Sequence, residues 1–167
     1  TLSGFTIHGM VEGWPGNIPF VDSTPTISDC ILTSSTSTQV FLYHSSAIIV
    51  NCLISNSSSH GVYCMGSSPN LINSTIVNNT WSGIFLHYST TVPSNPTIKN
   101  CIIWGNSIGI NQNNGSPTIS YSNIQEDWAG VGNINENPLF VGGGNYHLIT
   151  GSPCIDSGTS NGAPGTD

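Results

Sequence analysis

Ile49-Val50-Asn51-Cys52-Leu53-Ile54 returns twenty-two residues later as Leu71-Ile72-Asn73-Ser74-Thr75-Ile76. The same six-residue pattern stands upstream at Leu2-Ser3-Gly4-Phe5-Thr6-Ile7 and Ile27-Ser28-Asp29-Cys30-Ile31-Leu32. It stands downstream at Ile98-Lys99-Asn100-Cys101-Ile102-Ile103 and Ile119-Ser120-Tyr121-Ser122-Asn123-Ile124, giving start-to-start spacings of 25, 22, 22, 27 and 21 residues. The first and sixth positions are apolar. The third is Gly4, Asp29, Asn51, Asn73 or Asn100, with Tyr121 the exception. Gly, Asn and Asp are the residues that best tolerate the left-handed backbone region. These five are therefore expected to form a ladder of bends, one per repeat, each turning one strand into the next. The fourth position, Cys30, Cys52, Ser74, Cys101 and Ser122, is expected to stack as a small-residue ladder inside.

A second strand follows at a fixed offset, at Val40, Val62, Ile84 and Ile110, and glycine precedes three of these at Gly61, Gly83 and Gly109. Pro25, Pro69, Pro96 and Pro117 punctuate the approach to each new repeat, and the insertion at residues 90–96 falls in the same gap. Strands repeated at this period stack into a solenoid. At a rung spacing of roughly 4.8 Å, about six rungs make a column on the order of 30 Å tall. The reading is all-β: a right-handed, single-stranded parallel β-helix of about five to six coils, with coils over residues 1–124 and an irregular capping segment over 125–167 of the same domain. A β-sandwich of similar spacing would leave the two locked columns unexplained.

Composition agrees. Of 167 residues, 25 are Ser, 19 Asn and 16 Thr, while Ala and Glu occur three times each, so helix formers are scarce and turn and β-branched residues abound. The net charge is −7 and Lys99 is the one basic side chain, which makes a nucleic-acid surface untenable. No apolar run reaches the roughly 18 residues of a membrane span. The chain opens in the middle of a strand pattern, so it is expected to be a mature or trimmed piece of something longer.

After Ile124 the pattern breaks. Asn137-Pro138-Leu139-Phe140-Val141, Asn145-Tyr146-His147-Leu148 and Gly151-Ser152-Pro153-Cys154-Ile155-Asp156-Ser157-Gly158 follow. These motifs, with the coils around Asn51 and Asn100, resemble the bacterial right-handed parallel β-helix repeat proteins. The resemblance implies an exported or surface-anchored protein, in a family mostly without assigned activity. Physically, a solenoid end needs a cover over its apolar cross-section and strand edges. Residues 125–158 are expected to fold over the last rung, with Leu139, Phe140, Tyr146 and Leu148 as plugs. The first rung shows no cap of its own, so further coils or another copy of the chain would cover it.

The side chains that could carry chemistry are few. The acids are Glu12, Asp22, Asp29, Glu126, Asp127, Glu136, Asp156 and Asp167, and no pair has the stacked spacing of two carboxylates facing one sugar. Asp29 and Asp156 read as turn residues. The histidines (8, 44, 60, 87, 147) fall in mixed columns, His44 with Tyr88 and His87 with Tyr43 and Met65, and read as packing and surface. Cys30 and Cys52 sit on neighbouring rungs, within Cα reach of a disulfide but poorly disposed for its dihedral angle, and the pairing of Cys64, Cys101 and Cys154 stays open. Asn56, Asn73, Asn78 and Asn114 head glycosylation sequons, and residues 33–38 could carry O-glycans. Trp14, Trp81, Trp104 and Trp128 lie near turns, where they cover a core edge or stack on sugar rings.

The expected function is therefore a non-catalytic structural protein, extracellular or at the cell surface: a stalk, surface-layer or filament subunit without metal or cofactor. Its expected partners are further copies of itself or surface glycans, with neither nucleic acid nor membrane. The alternative is a carbohydrate-binding or carbohydrate-cleaving module, or an adhesin, whose groove would be lined by Trp or Tyr and by acids from neighbouring rungs.

Overall fold

The computed structural model describes residues 1–8, 18–89 and 91–161. Each coil has three short strands, and like strands of successive coils pair in parallel, in register, into three sheets. The first sheet stacks Leu2–Ser3, Thr26–Ser28, Ile48–Val50, Asn70–Ile72, Thr97–Lys99 and Thr118–Ser120. The second stacks Thr6–His8, Ile31–Thr33, Leu53–Ser55, Thr75–Val77, Ile102–Trp104 and Asn123–Ile124. The third stacks Ile18–Val21, Val40–Tyr43, Val62–Met65, Ser82–His87 and Ile108–Gln112. The sixth rung supplies strands to the first two sheets, so the solenoid has five full coils and part of another.

The registers match the repeat alignment residue by residue. Leu2, Ile27, Ile49, Leu71, Ile98 and Ile119 form one file, and Leu32, Ile54, Ile76, Ile103 and Ile124 another. Val40, Val62, Ile84 and Ile110 form the third. From Ile27 onward these residues are at most 4% exposed. Burying a side chain of this size stabilises by about 1.5–3 kcal/mol. Period-2 alternation explains which residues turn inward: most strands of the first two sheets are three residues long and place one side chain in these apolar files.

The corners are where sequence decides the path. At the first, between the first and second sheets, Gly4, Asp29, Asn51, Asn73, Asn100 and Tyr121 all have φ between 48° and 71°. Tyr121, the sequence exception, adopts the same left-handed bend at φ 50°. Ser34, Asn56, Asn78 and Gly105 hold a second left-handed file, and Asp22, His44 and Gly66 a third. Asn56 and Asn78, singled out in the sequence as sequons, are thus themselves bend residues.

From Asp29 onward the residue after each first-corner bend turns inward and is small: Cys30, Cys52, Ser74, Cys101 and Ser122. At the first corner Ser74 Oγ accepts the Cys52 amide (3.2 Å) and donates to the Ile72 carbonyl (2.9 Å), and Ser122 Oγ does the same for Cys101 and Ser120. Cysteine substitutes for serine: Cys30, Cys52 and Cys101 Sγ donate to the carbonyls of Ser28, Val50 and Lys99. At the second corner Ser57 N donates to Asn79 Oδ1, Asn79 N to Asn106 Oδ1 and Asn106 N to Gln125 Oε1, each at 3.0 Å. At the third, Ser45 N donates to Ser67 Oγ and Ser67 N to Ser94 Oγ. The third strands open without side chains at Gly61 and Gly83 because a Cβ on Gly61 would stand 2.7 Å from the Gly83 carbonyl and 2.8 Å from Asn79 Nδ2.

The cap differs from the expected one. Leu139, Phe140, Tyr146 and Leu148 do not plug the last rung: Leu139 is 36% exposed, and Tyr146 bonds to Asn56 and Asn78 on the side of the column. The plug is Trp128, packed on the core, within a turn that continues the hydrogen bonding of the rungs. Asn133 Oδ1 accepts the Ser122 amide, Ile134 pairs with Asn123 as a parallel bridge, and Glu136 accepts from Asn123 Nδ2. Glu126 caps the last strand of the third sheet by accepting from Gly109 N (2.6 Å). An open rung exposes backbone N–H groups as well as apolar surface, so polar side chains are what it needs first.

Two outcomes are expected. Ile76→Ala, a cavity at a fully buried site, should lower unfolding free energy by about 2–5 kcal/mol in urea titration. Asn79→Leu should cost about 1–3 kcal/mol for each amide it strands, Ser57 N foremost.

Candidate functional site

Two surfaces gather functional side chains. The first is the outer face of the third sheet. Phe41, Tyr63 and Phe85 stand in register up this sheet, with ring centroids 5.1 Å and 4.9 Å apart, tilted in the first pair and edge-on in the second; Phe41 is buried, and Tyr63 and Phe85 are half-buried. His60 lies against them, stacked on Phe85 at 4.7 Å and edge-on to Trp81 at 5.3 Å. The next outward row is Tyr43, Met65 and His87, with His87 stacked on Tyr88 at 4.9 Å. Trp81 and Tyr88 stay open to solvent, 59% and 47% exposed. Aromatic rings on an outward sheet face alternate with the buried Val62 and Ile84, so the same period that builds the core builds this surface.

Burial holds His60 far below the ordinary histidine range, at about 4, and its Nδ1 accepts the Ser82 amide at 3.4 Å. Burial also raises the Tyr63 phenol. Both rings therefore face this surface uncharged at neutral pH.

The second surface is a cleft of about 1490 Å³ on the outer side of the second sheet. Its floor is Ile31, Leu53, Thr75 and Ile102, and one wall is the first-corner file Asp29, Asn51, Asn73 and Asn100. Its roof is the C-terminal strap. The strap pairs Phe140–Gly142 with Asn145–Leu148 as an antiparallel hairpin, the one irregular pairing being beside the glycines 142–144. It is tied to the coils at several points. Asn100 Nδ2 donates to the Thr159 carbonyl (2.7 Å) while Thr159 N donates to Asn100 Oδ1 (3.0 Å). Tyr146 Oη bonds to Asn56 (3.3 Å) and Asn78 (3.0 Å). Lys99 Nζ also donates to the carbonyl of Asn161.

The bend ladder is bonded along its own length. Asn100 Nδ2 donates to Asn73 Oδ1 at 3.0 Å, and Asn51 Nδ2 donates to Asp29 Oδ1 at 3.1 Å. The hydrogen bond from Asn51, with others from Ser28 and Ser3, holds the Asp29 carboxyl below the usual carboxylate range. Asp156 and His147 line the same cleft, and Asp156 is a left-handed turn residue at φ 58°. Asp127 accepts from Asn135, and Glu126 is spent on the cap. Among the described residues no three His, Cys, Asp or Glu side chains could hold a metal ion, and no helix is long and apolar enough to cross a membrane. Glu12, Trp14 and Asp167 lie outside the described residues.

The sulfurs are free thiols. Cys30, Cys52, Cys64 and Cys101 are buried, and burial pushes the Cys52 thiol up to about 11, Cys101 to about 12 and Cys64 higher still. Cys154 is half-buried and accepts from Asn123 Nδ2. Of the sequon asparagines, Asn56, Asn78 and Asn114 are exposed, and Asn73 is half-buried in the ladder. The aromatic file was not legible as a unit in the sequence. The signal was there in Phe41, Tyr63 and Phe85 at 22-residue intervals, one place after Val40, Val62 and Ile84.

Iodoacetamide should therefore modify Cys154 first in the native chain, and all five cysteines only in urea, as read by peptide mass spectrometry. Acid should act through His60. The unfolded chain takes up its proton near pH 6.5, whereas the folded chain resists until about 4, so the stability it lends is whole above pH 6.5 and is lost down toward pH 4. Thermal melts between pH 7 and 4 should show this slope, and His60→Asn should flatten it.

A family model described as "right handed beta helix region" matches residues 16–135. No curated protein and no solved structure matches the chain. With three parallel sheets, in-register files and left-handed corners over the matched span, this chain belongs to the right-handed β-helix family.

Proposed function

We propose that the chain is a rigid extracellular β-helical module whose third sheet binds carbohydrate. One observation carries this reading: half-buried Tyr63 and Phe85, edge-on to each other on the outer face and backed by the buried Phe41, flanked by solvent-open Trp81 and Tyr88. Sugar rings present flat apolar C–H faces, and aromatic rings fixed on a sheet receive them without loss of side-chain freedom. The low charge suits neutral or weakly acidic glycans, since Lys99 is the one basic side chain and stands on the first sheet. The interior ladders supply stiffness to such a module, and four of its five thiols are buried away from oxidants.

A glycan array followed by calorimetry tests this. Neutral polysaccharides should bind, and Trp81→Ala should weaken binding by about 2–12-fold, the equivalent of one aromatic contact of about 0.5–1.5 kcal/mol. A blank array would remove the reading.

Self-association is a second reading, supported by the outer face of the first sheet. Its two outward rows run Thr26, Ile48, Asn70, Thr97, Thr118 and Ser28, Val50, Ile72, Lys99, Ser120. This flat, nearly uncharged surface fits the lateral contact of a filament or surface-layer subunit. Sedimentation should show concentration-dependent association that Ile48→Lys abolishes; a monomer throughout refutes it. Glycosylation is proposed at Asn114, which is exposed and whose side chain ties down no strap. A glycan on Asn56 or Asn78 would displace Tyr146.

A further inference from the structure

The third corner carries a second piece of chemistry. Asp22, His44 and Gly66 are successive members of its left-handed file, at φ 47°, 48° and 61°. The His44 imidazole runs along this file rather than away from it. Its Nδ1 lies 3.6 Å from Asp22 Oδ1 on the rung below. Its Nε2 lies 2.5 Å from the hydroxyl of Ser89 on the far side of Gly66. Gly66 makes the reach feasible: a Cβ there would stand 2.8 Å from both His44 Cδ2 and Ser89 Cβ. Ser89 is fixed from behind, its amide donating to the Val92 carbonyl and its own carbonyl accepting from Thr91 and Val92.

Carboxylate, imidazole and hydroxyl thus stand in line, the two ring nitrogens addressing one partner each. At 3.6 Å the Asp22 carboxylate lies just beyond hydrogen-bond length from Nδ1, and a shift of this exposed side chain by a few tenths of an ångström would let it hold the proton there and leave Nε2 to accept from the serine. Exposure is graded to match. The Asp22 side chain is 71% and the His44 side chain 35% exposed, while Ser89 is 3% exposed, so a reactant reaching the hydroxyl must be small. Tyr43 stacks on His44 at 4.2 Å, which joins this line to the aromatic face.

We propose that Asp22, His44 and Ser89 form an acyl-transfer site that hydrolyses small esters, O-acetyl groups on sugars being the form the aromatic face would deliver. That last clause rests on the carbohydrate reading; the ester chemistry does not. Ser89 Oγ attacks the acyl carbonyl carbon while its proton passes to His44 Nε2. The tetrahedral intermediate then expels the alcohol, which takes that proton and leaves an acetyl-serine. Water attacks the acetyl-serine, giving its proton to Nε2. Collapse returns the proton to Ser89 and releases acetic acid. The Asp22 carboxylate, on the Nδ1 side of the ring, stabilises the imidazolium.

Two probes test the site on the whole chain. Diisopropyl fluorophosphate should phosphorylate Ser89 with loss of fluoride, located by peptide mass spectrometry. With 4-nitrophenyl acetate, Ser89→Ala and His44→Gln should each lower the rate by about 10²–10⁴-fold. Asp22→Asn, at an exposed position, should lower it at least tenfold. Circular dichroism establishes that each variant is folded. A folded wild type left unlabelled at Ser89, or a Ser89→Ala variant that keeps the wild-type rate, overturns the proposal. Acetate release from acetylated xylan separates the two readings. Turnover of nitrophenyl acetate without release from xylan upholds the ester site and counts against its sugar substrate, and an empty glycan array would then mark the carbohydrate reading as the one that failed.

Discussion

An inward-turned backbone amide at each corner is the constraint on which this solenoid depends. A coil that bends three times per turn leaves backbone N–H groups facing a core of Ile, Leu and Val, where each unpaired group costs about 1–3 kcal/mol. The strands cannot satisfy them, because sheet pairing ends where the bend begins. The chain answers by placing one small polar residue just after each bend, so that each rung's amide donates to the side chain of the rung above. Ser74 and Ser122 do this at the first corner, Asn79 and Asn106 at the second, Ser67 and Ser94 at the third. Such a bond requires register, since a slip of one residue would bring an outward bend residue, such as Asn73 or Asn78, where the inward acceptor should stand. Hydrophobic files give the column its stability, and these polar files give it its pitch.

This constraint explains why cysteine and serine interchange at the first corner. The position needs a small side chain that donates to the carbonyl two residues before it. Both do so, as Cys52 to Val50 and Ser74 to Ile72 show. The thiols are therefore packing elements with raised pKa values, and four of the five are sealed from solvent. It also explains the cap. Gln125 and Asn133 occupy the next steps of two ladders although no further coil follows there among the described residues, so the end is closed by side chains imitating a rung.

The fold was legible in the sequence because its period is written in residue types that have few other reasons to recur. Asn51, Asn73 and Asn100 were readable as bends, and their φ values agree. The second and third corners were harder to read. Ser34 at the second and His44 at the third are not residues that announce a left-handed bend, nor is Tyr121 at the first, and the neighbours on the column, not their own preference, place them there. The strap was misplaced for a related reason. Phe140, Tyr146 and Leu148 look like plugs by composition, but Tyr146 has a hydroxyl to satisfy, and Asn56 and Asn78 offer it on the flank. The aromatic face was written at the same 22-residue interval as the core, but alternation hides one face of a strand behind the other.

The three corners are not equally free to carry function. The first admits one bend residue and one inward residue between strands, so every position is committed to the turn and its ladder. The third is longer and takes the insertion before Ser94, which still supplies the ladder hydroxyl to Ser67 and to the Cys64 carbonyl. Chain length can vary there because the ladder needs only its acceptor in place, not a fixed number of residues between. The outward bend positions at that corner are then open to side chains chosen for chemistry rather than for conformation. Asp22 and His44 occupy two of them, each held at positive φ, and Gly66 clears the third. Stacking turns this freedom into geometry: residues 22 apart in sequence arrive one rung apart in space, so a short line of side chains along the column forms a site that no single loop could hold.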